Sequence, residues 1–192
     1  MNILHFFLAV VAVSFVAFPG LAAAASDSFQ IDADALSGLR FSMPENPAAK
    51  AYLGLTGTGT FTMPQIRADM VIFEIFSMYC PVCQAEAPVV NTLHQLIQGT
   101  SSLKGKVKLI GIGAGNTPFE VEIFRKKYNV LFPMFPDEKL SIQKAISGPI
   151  RTPTFVAVKS YGGNRLKVQH SHVGGINPEQ FLKEIVAASH RK

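Results

Sequence analysis

Apolar residues follow two different periods along residues 70–189, and the two periods predict alternating strands and helices. The runs MVIFEIF (70–76) and VKLIGIG (107–113) are short, apolar and rich in β-branched residues, which is typical of buried strands. Between them, residues 81–98 have apolar positions at helical spacing. The predicted inward face of this helix consists of Val82, Ala85, Val89, Leu93, Leu96 and Ile97. The order strand, helix, strand predicts a βαβ unit.

The second half of the chain continues this alternation. Thr117 with Glu120 forms a capping-box pattern, and Pro118 stands at the first helical position, so a helix is predicted to begin there. Further predicted elements are an extended piece over 132–137, a short helix over 139–147, a strand over 154–159, a hairpin partner over 165–173 and a helix over 178–189. The order β-α-β-α-β-α-β-β-α predicts an α/β fold, a central sheet flanked by helices. In the N-terminal part, AYLGL and TFTMPQI are candidates for an additional strand pair.

The N-terminus has the pattern of an export signal. Residues 3–18 are apolar except for two positions and precede small residues with an A-x-A site. We expect cleavage near Ala25, which divides the chain into a signal peptide (1–25), an N-terminal extension (26–59) and a main domain (60–192). Because no Lys or Arg precedes the apolar run, the alternative is a membrane anchor formed by residues 3–18. Either arrangement predicts an exported protein, in bacteria a periplasmic one, where disulfides are permitted.

Composition and charge narrow the class of protein. The chain of 192 residues is 48% hydrophobic and 16% charged, which is typical of a globular domain. Its net charge of +5 is uneven: residues 1–100 carry 3 basic and 7 acidic residues (−4), and residues 101–192 carry 15 and 6 (+9). The basic residues are dispersed, so we expect a solvated basic surface and no nucleic-acid partner.

Cys80 and Cys83 are the only cysteines of the chain and stand at the predicted start of a helix. A zinc site usually needs four ligands, and one cysteine pair with His170 and His172 alternating on a strand does not fit that pattern, so no metal is expected. A structural disulfide closing so short a loop removes little unfolded-chain entropy. The helix N-terminus stabilises a thiolate. These arguments favour redox chemistry, with Cys80 as the exposed nucleophile and Cys83 as the resolving thiol.

Two other positions are candidates for roles near the cysteines. Glu74 interrupts an apolar strand and lies on the same side as Phe76. Because an unpaired buried carboxylate is costly, it is a candidate proton acceptor for Cys83, with a raised pKa. The alternative is an exposed Glu at a strand edge. Thr152-Pro153 precedes a predicted strand, a position where a cis peptide occurs, although most X-Pro bonds are trans.

The segments FEIFSMYCPVCQAEAP and RTPTFVAV resemble the thioredoxin superfamily. The pattern C-x-x-C-x-x-E-x-P, formed by Cys80, Cys83, Glu86 and Pro88, resembles its TlpA/ResA-like branch of exported thiol–disulfide oxidoreductases. The resemblance implies a thioredoxin-like fold with an extra βα unit between the motif and a cis Pro153 that faces a redox-active Cys80–Cys83 disulfide. It also implies Glu74 and Pro153 as catalytic residues and no cofactor.

The expected function is reduction of protein disulfides, with electrons from an unidentified donor such as a membrane thiol carrier and with the protein acting as a monomer. The expected substrate groove consists of Tyr79, Pro81, Val82 and Thr152. Tyr79 replaces the usual Trp, and Pro81-Val82 differs from the Gly-Pro of thioredoxin, so the groove should differ from that of thioredoxin. Glu86 is expected to face solvent.

Three alternatives remain at this stage. The first is a copper chaperone similar to the Sco proteins, with His172 as third ligand, although those proteins have a C-x3-C spacing. The second is an oxidase that inserts disulfides, since Pro81 also resembles DsbA-like oxidants. The third is a peroxidase of the peroxiredoxin type, but the P-x-x-x-T-x-x-C pattern is missing before Cys80.

Overall fold

The computed structural model describes residues 30–189. In chain order the elements are α1 (Ala33–Ser37), β1 (Arg40–Ser42), α2 (Pro47–Leu53), β2 (Thr60–Thr62), a 3-10 helix (Met63–Gln65), β3 (Met70–Phe76), α3 (Pro81–Gly99), β4 (Val107–Ala114), α4 (Pro118–Lys127), β5 (Met134–Asp137), a second 3-10 helix (Ser141–Ala145), β6 (Thr154–Ser160), β7 (Leu166–Val173) and α5 (Pro178–Ser189). Within these residues, no helix is long and apolar enough to cross a membrane. The predicted signal peptide lies outside the described part of the chain.

The central sheet has five strands in the order β5-β4-β3-β6-β7. The strands β3, β4 and β5 are parallel, whereas β6 is antiparallel to both β3 and β7. Every residue of β3 and of β4 is buried, which explains why both strands are nearly continuous apolar runs. The predicted thioredoxin-like α/β fold, with its extra βα unit formed by α4 and β5, is therefore confirmed.

The two faces of the sheet bury separate apolar cores. Ile72 and Phe76 of β3 face a core that includes residues of α3, α4 and α5. Phe73 and Ile75 face the opposite core, which is closed by residues of the N-terminal elements. Because strand side chains alternate, Glu74 lies on the same face as Ile72 and Phe76, under α3.

The N-terminal strand pair differs from the predicted one. Strand β2 pairs antiparallel with Arg40–Ser42, and AYLGL contributes to the end of α2 instead of forming a strand. The physical reason is local. The Asn46 side chain caps the helix ahead of Pro47, and Gly54 ends it in the left-handed conformation (φ 67°).

The inward face of α3 differs from the predicted one in the first two turns. Val82 and Ala85 are exposed, and the buried residues there are Cys83 and Ala87. Farther along, Leu93 and Ile97 are buried as predicted. The first turn of α3 lies beyond the carboxyl end of the central strand β3, where an apolar residue such as Val82 has no sheet to pack against.

Tyr52 of α2 closes a gap at the edge of the sheet. Strand β5 pairs only with Gly111–Ala114 of β4, so the first half of β4 has no partner strand on that side. The Tyr52 hydroxyl accepts a hydrogen bond from the Leu109 N–H (2.8 Å) and lies 3.3 Å from the Leu109 carbonyl oxygen, to which it donates. Burial raises the pKa of Tyr52 to about 12, so the hydroxyl stays protonated.

Candidate active site

The two cysteines lie where β3 ends and α3 begins. Cys80 is the N-cap of α3, and its Sγ accepts a hydrogen bond from the Cys83 N–H at 3.2 Å. The Cys80 Sγ–H also lies 3.3 Å from the carbonyl oxygen of Thr152, which it can reach as a donor. Cys80 therefore stands at the positive end of a 19-residue helix, in contact with unpaired backbone N–H groups.

The two thiols differ in their acidity. Burial opposes ionisation of Cys80, but hydrogen bonds from the side chains of Cys83 and Thr152 and from the N–H groups of Cys83 and Val82 outweigh it, so the pKa of Cys80 is lowered. Cys83 is fully buried, and burial together with the hydrogen bond to Cys80 raises its pKa far above the usual range. Both are free thiols, so the structure corresponds to the dithiol form. The more acidic, partly exposed Cys80 has the properties of a nucleophile, and the buried Cys83 has the properties of a resolving thiol.

Pro153 lies in the loop that faces Cys80. The Thr152–Pro153 peptide is cis, as the resemblance implied, and the Pro153 side chain is buried. The Pro153 carbonyl oxygen accepts a hydrogen bond from the Gly174 N–H at 2.9 Å, which ties this loop to the segment after β7. The Thr152 carbonyl is thereby held against the Sγ atom of Cys80, which stands 72 residues earlier in the chain.

Glu74 is buried beneath the cysteines, as the sequence predicted. It is 2% exposed, and its Oε1 atom has no hydrogen-bond partner among the described residues. Burial raises the pKa of Glu74 to about 8, with smaller contributions from the charges of Glu86 and Cys80. The Glu74 charge in turn helps to raise the pKa of Cys83, so the two groups are coupled. Glu74 can therefore exchange a proton near neutral pH.

Glu86 does not face solvent freely, contrary to the prediction. Its side chain is half-buried, and Oε1 accepts a hydrogen bond from the Ile176 N–H at 2.7 Å. A side chain on Gly175 would place its Cβ 2.8 Å from the Glu86 Oε2, so glycine permits this close approach. Because Gly174 bonds to Pro153, Glu86 and the cis-proline loop hold the same segment, residues 174–176, from two sides.

The predicted groove residues surround Cys80. Tyr79, Pro81 and Val82 are exposed, and Thr152 is half-buried. The Tyr79 hydroxyl donates a hydrogen bond to Glu120 of α4. This bond is the main reason why the pKa of Tyr79 is raised, with smaller contributions from burial and from the Glu120 charge. The same bond is the main reason why the pKa of Glu120 is lowered, followed by the hydrogen bonds from Thr117. That these residues bind substrate remains a prediction.

The sequence pattern of the Redoxin family matches residues 54–187. The chain belongs to the Redoxin family. No curated protein matches the chain.

Among solved structures, the thioredoxin-like fold recurs. StoA from Bacillus subtilis is 19% identical with a TM-score of 0.53, and the match covers 76% of this chain and 96% of StoA. DsbF from Mycobacterium tuberculosis is also 19% identical with a TM-score of 0.53, and the match covers 72% of this chain and 97% of DsbF. A third similar structure is a thioredoxin-family thiol:disulfide interchange protein from Chlorobium tepidum, with 19% identity and a TM-score of 0.51. That match covers 69% of this chain and 88% of the other. Redoxin membership and this fold together support a thiol–disulfide oxidoreductase of the thioredoxin-like class.

Two residues of this Redoxin-family site were missed in the sequence. Asn116 is fully buried, and its Oδ1 accepts a hydrogen bond from the Met78 N–H at 2.8 Å, while Nδ2 lies 3.4 Å from the Ser77 Oγ. Glu120, noted only as part of a capping box, also accepts the Tyr79 hydroxyl. The available signal was topological, because parallel strands bring the carboxyl end of β4 next to the end of β3.

The histidines considered as metal ligands have other contacts. The His172 Nε2 lies 2.9 Å from the Gly175 carbonyl oxygen. His170 packs against Phe181 and lies 3.7 Å from the Glu184 carboxylate. Over residues 30–189, no group of three or more His, Cys, Asp or Glu side chains is placed to hold a metal ion. The copper-chaperone alternative thus has no support from His172.

Proposed function

We propose that this Redoxin-family chain is an exported thiol–disulfide oxidoreductase of the TlpA/ResA type that reduces protein disulfides through Cys80 and Cys83. The observation that carries the proposal is the difference between the two thiols. Cys80 has a lowered pKa at a helix N-terminus and is partly exposed, whereas Cys83 is buried with a raised pKa one turn below it.

The first step is attack of the Cys80 thiolate on one sulfur of a substrate disulfide. A bond forms between the Cys80 Sγ and that sulfur, the substrate S–S bond breaks, and the other substrate sulfur leaves as a thiolate that takes a proton from solvent. The lowered pKa of Cys80 increases the fraction of this thiol that is present as the nucleophilic thiolate. Pro153 and the Thr152 carbonyl form the wall of the groove next to this sulfur.

The second step is resolution by Cys83. Its proton passes toward the Glu74 carboxylate through solvent, and Cys83 attacks the Cys80 Sγ. The Cys80–Cys83 disulfide forms, and the second substrate thiol is released, so the substrate gains two electrons. An external dithiol donor returns the pair to the reduced state. The TlpA/ResA resemblance supports the reducing direction, and the apolar segment 3–18 supports export.

The test is insulin reduction by single variants. Cys80→Ser should abolish the activity, and Cys83→Ser should accumulate a stable mixed disulfide with the substrate through Cys80, detectable by mass. Insulin reduction by Cys80→Ser at the wild-type rate would contradict the proposed chemistry.

The direction of electron flow is tested by the redox equilibrium of the pair against dithiothreitol and glutathione buffers. A two-electron transition near the thioredoxin value of about −270 mV is expected for a reductase. A value near that of DsbA, about −120 mV, would show that the chain inserts disulfides instead.

A further inference from the structure

The first turn of α4 presents an apolar surface next to the motif, and the reaction described above does not use it. Phe119 is 72% exposed, the highest exposure among the large apolar side chains of residues 30–189. The next residue, Glu120, accepts the hydroxyl hydrogen bond of Tyr79, whose backbone leads directly into Cys80. Tyr79 and Val82 are 66% and 51% exposed. We call Tyr79, Val82 and Phe119 the apolar rim.

The ring of Tyr79 is held in place before any substrate arrives. Its hydroxyl is fixed by Glu120, and the residue before it is fixed by the bond from the Met78 N–H to Asn116. A contact surface that is already ordered loses less conformational entropy on binding than a mobile one. The Tyr79 part of the rim is therefore suited to recognition although it is exposed.

The chemistry of this surface favours an apolar occupant over a cationic one. The Glu120 Oε1 is bound by Tyr79, and its Oε2 lies 2.7 Å from the Thr117 N–H and 2.9 Å from the Thr117 hydroxyl. The Glu122 carboxylate is bound by Arg125 at 2.7 Å and lies 3.3 Å from Lys126. Both carboxylates of α4 thus already have partners, and what the first turn offers outward is the Phe119 ring.

The occupant follows from the reaction. Tyr79 adjoins the reactive Cys80 in the chain, and its hydroxyl reaches α4 at Glu120, the residue next to Phe119. We propose that the apolar rim binds a bulky apolar side chain located a few residues from the reactive cysteine of the substrate, and that Phe119 determines this specificity. An extended chain advances about 3.3 Å per residue, so we expect the apolar side chain within a few residues of the substrate cysteine. The inference rests on the proposed function and defines its substrate class.

The test uses two single-cysteine peptides, each joined through a disulfide to the chromogenic thiol thionitrobenzoate. One carries leucines at the positions flanking its cysteine, and the other carries serines there. Cys80 attacks the peptide sulfur, and thionitrobenzoate leaves as a coloured thiolate, so its release gives the rate. We expect the wild-type protein to prefer the leucine peptide about tenfold, and Phe119→Ala to bring the ratio of the two rates close to one. Phe119→Leu should retain most of the preference.

Leu131→Ala is the matched control, because Leu131 is also exposed (50%) but lies beyond the carboxyl end of α4, at the end of that helix away from Phe119. Its rate ratio should equal that of the wild type. Equal rates for both peptides in the wild type, or an unchanged ratio in Phe119→Ala, would overturn the inference while leaving the proposed function intact. No reaction with either peptide would instead count against the proposed function. A wild-type dimer that Phe119→Ala converts to a monomer in sedimentation would assign the rim to contact between two copies, and would also overturn the inference.

Discussion

Glu74 stands where a carboxylate is most costly, in the middle of the central strand and under the active-site helix. Its pKa of about 8 is a consequence of that burial. A carboxyl whose pKa is higher in the folded than in the unfolded state stabilises the fold only while it is protonated. The contribution of Glu74 to the free energy of unfolding is therefore complete below pH 4.5, the pKa of the unfolded state. It is lost as the pH rises toward 8, the pKa of the folded state.

We therefore expect Glu74→Gln to raise the free energy of unfolding at pH 9 by a few kcal/mol relative to the wild type, since each pKa unit corresponds to about 1.4 kcal/mol. Below pH 5 the difference should be small. Urea unfolding of both proteins between pH 5 and pH 9 measures this difference. Glu179→Gln, at an exposed position on α5, is the control and should follow the wild-type curve. Parallel curves for Glu74→Gln and the wild type would show that Glu74 is not buried as described.

The same substitution should slow catalysis while it stabilises the fold. Glu74→Gln removes the proposed proton acceptor for Cys83, so we expect release of the second substrate thiol to slow by roughly 10²-fold. In the wild type this step should accelerate as the pH rises toward 8, because only the carboxylate accepts a proton. Rapid-quench measurement of the mixed disulfide across this pH range checks both expectations. The rate at which the mixed disulfide forms at Cys80 should be nearly the same in Glu74→Gln as in the wild type.

At the scale of elements, the segment that leads from β4 into α4 supports the motif. Asn116 at the end of β4 and Glu120 in α4 hold residues 77–79, the segment that delivers Cys80 to its helix. The position of Cys80 therefore depends on residues that stand more than thirty positions later in the chain.

We expect Asn116→Ala to lower the free energy of unfolding by about 1–3 kcal/mol, because the Met78 N–H loses its partner. It should also change the rate at which iodoacetamide alkylates Cys80. Asn91→Ala is the control, since Asn91 bonds to the backbone of Tyr128, Asn129 and Leu131 at the other end of α4. That variant should lose stability without changing the alkylation rate. An alkylation rate in Asn116→Ala equal to that of the wild type would contradict the supporting role.

The parts of the site that depend on local patterns could be predicted from the sequence. Cys80 and Cys83 are close in the chain, and the burial of Glu74 follows from its apolar neighbours on one strand. The partners of Glu86 and Tyr79 could not be predicted, because they depend on where the β7–α5 loop and α4 pack. The inward face of α3 was wrong near Val82 because a periodicity does not show where the sheet ends.

At the scale of the whole molecule, the N-terminal elements form one wall of the core. Leu36, Phe41, Leu53 and Phe61 are buried on the face of the sheet opposite α3. Each side chain of this kind contributes about 1.5–3 kcal/mol when buried. Three of these four residues precede residue 60, where the sequence places the start of the main domain.

We expect a chain starting at residue 60 to lose its cooperative unfolding transition. The three residues removed account for about 5–9 kcal/mol of burial, which is comparable with the total stability of a typical domain. Thermal unfolding followed by circular dichroism compares this chain with one starting at residue 26. A transition at an unchanged midpoint would show that residues 26–59 are a dispensable extension.

The contact between Tyr52 and Leu109 has a consequence for self-association. Hydrogen-bonding groups along an unpaired strand edge form a template on which a second polypeptide can add as a new strand, the first step toward fibrous aggregates. In this fold β4 has such an edge ahead of Gly111, and a single phenolic hydroxyl occupies both backbone groups of Leu109. One tyrosine from the N-terminal part of the chain thereby protects the sheet against strand addition by a neighbouring molecule.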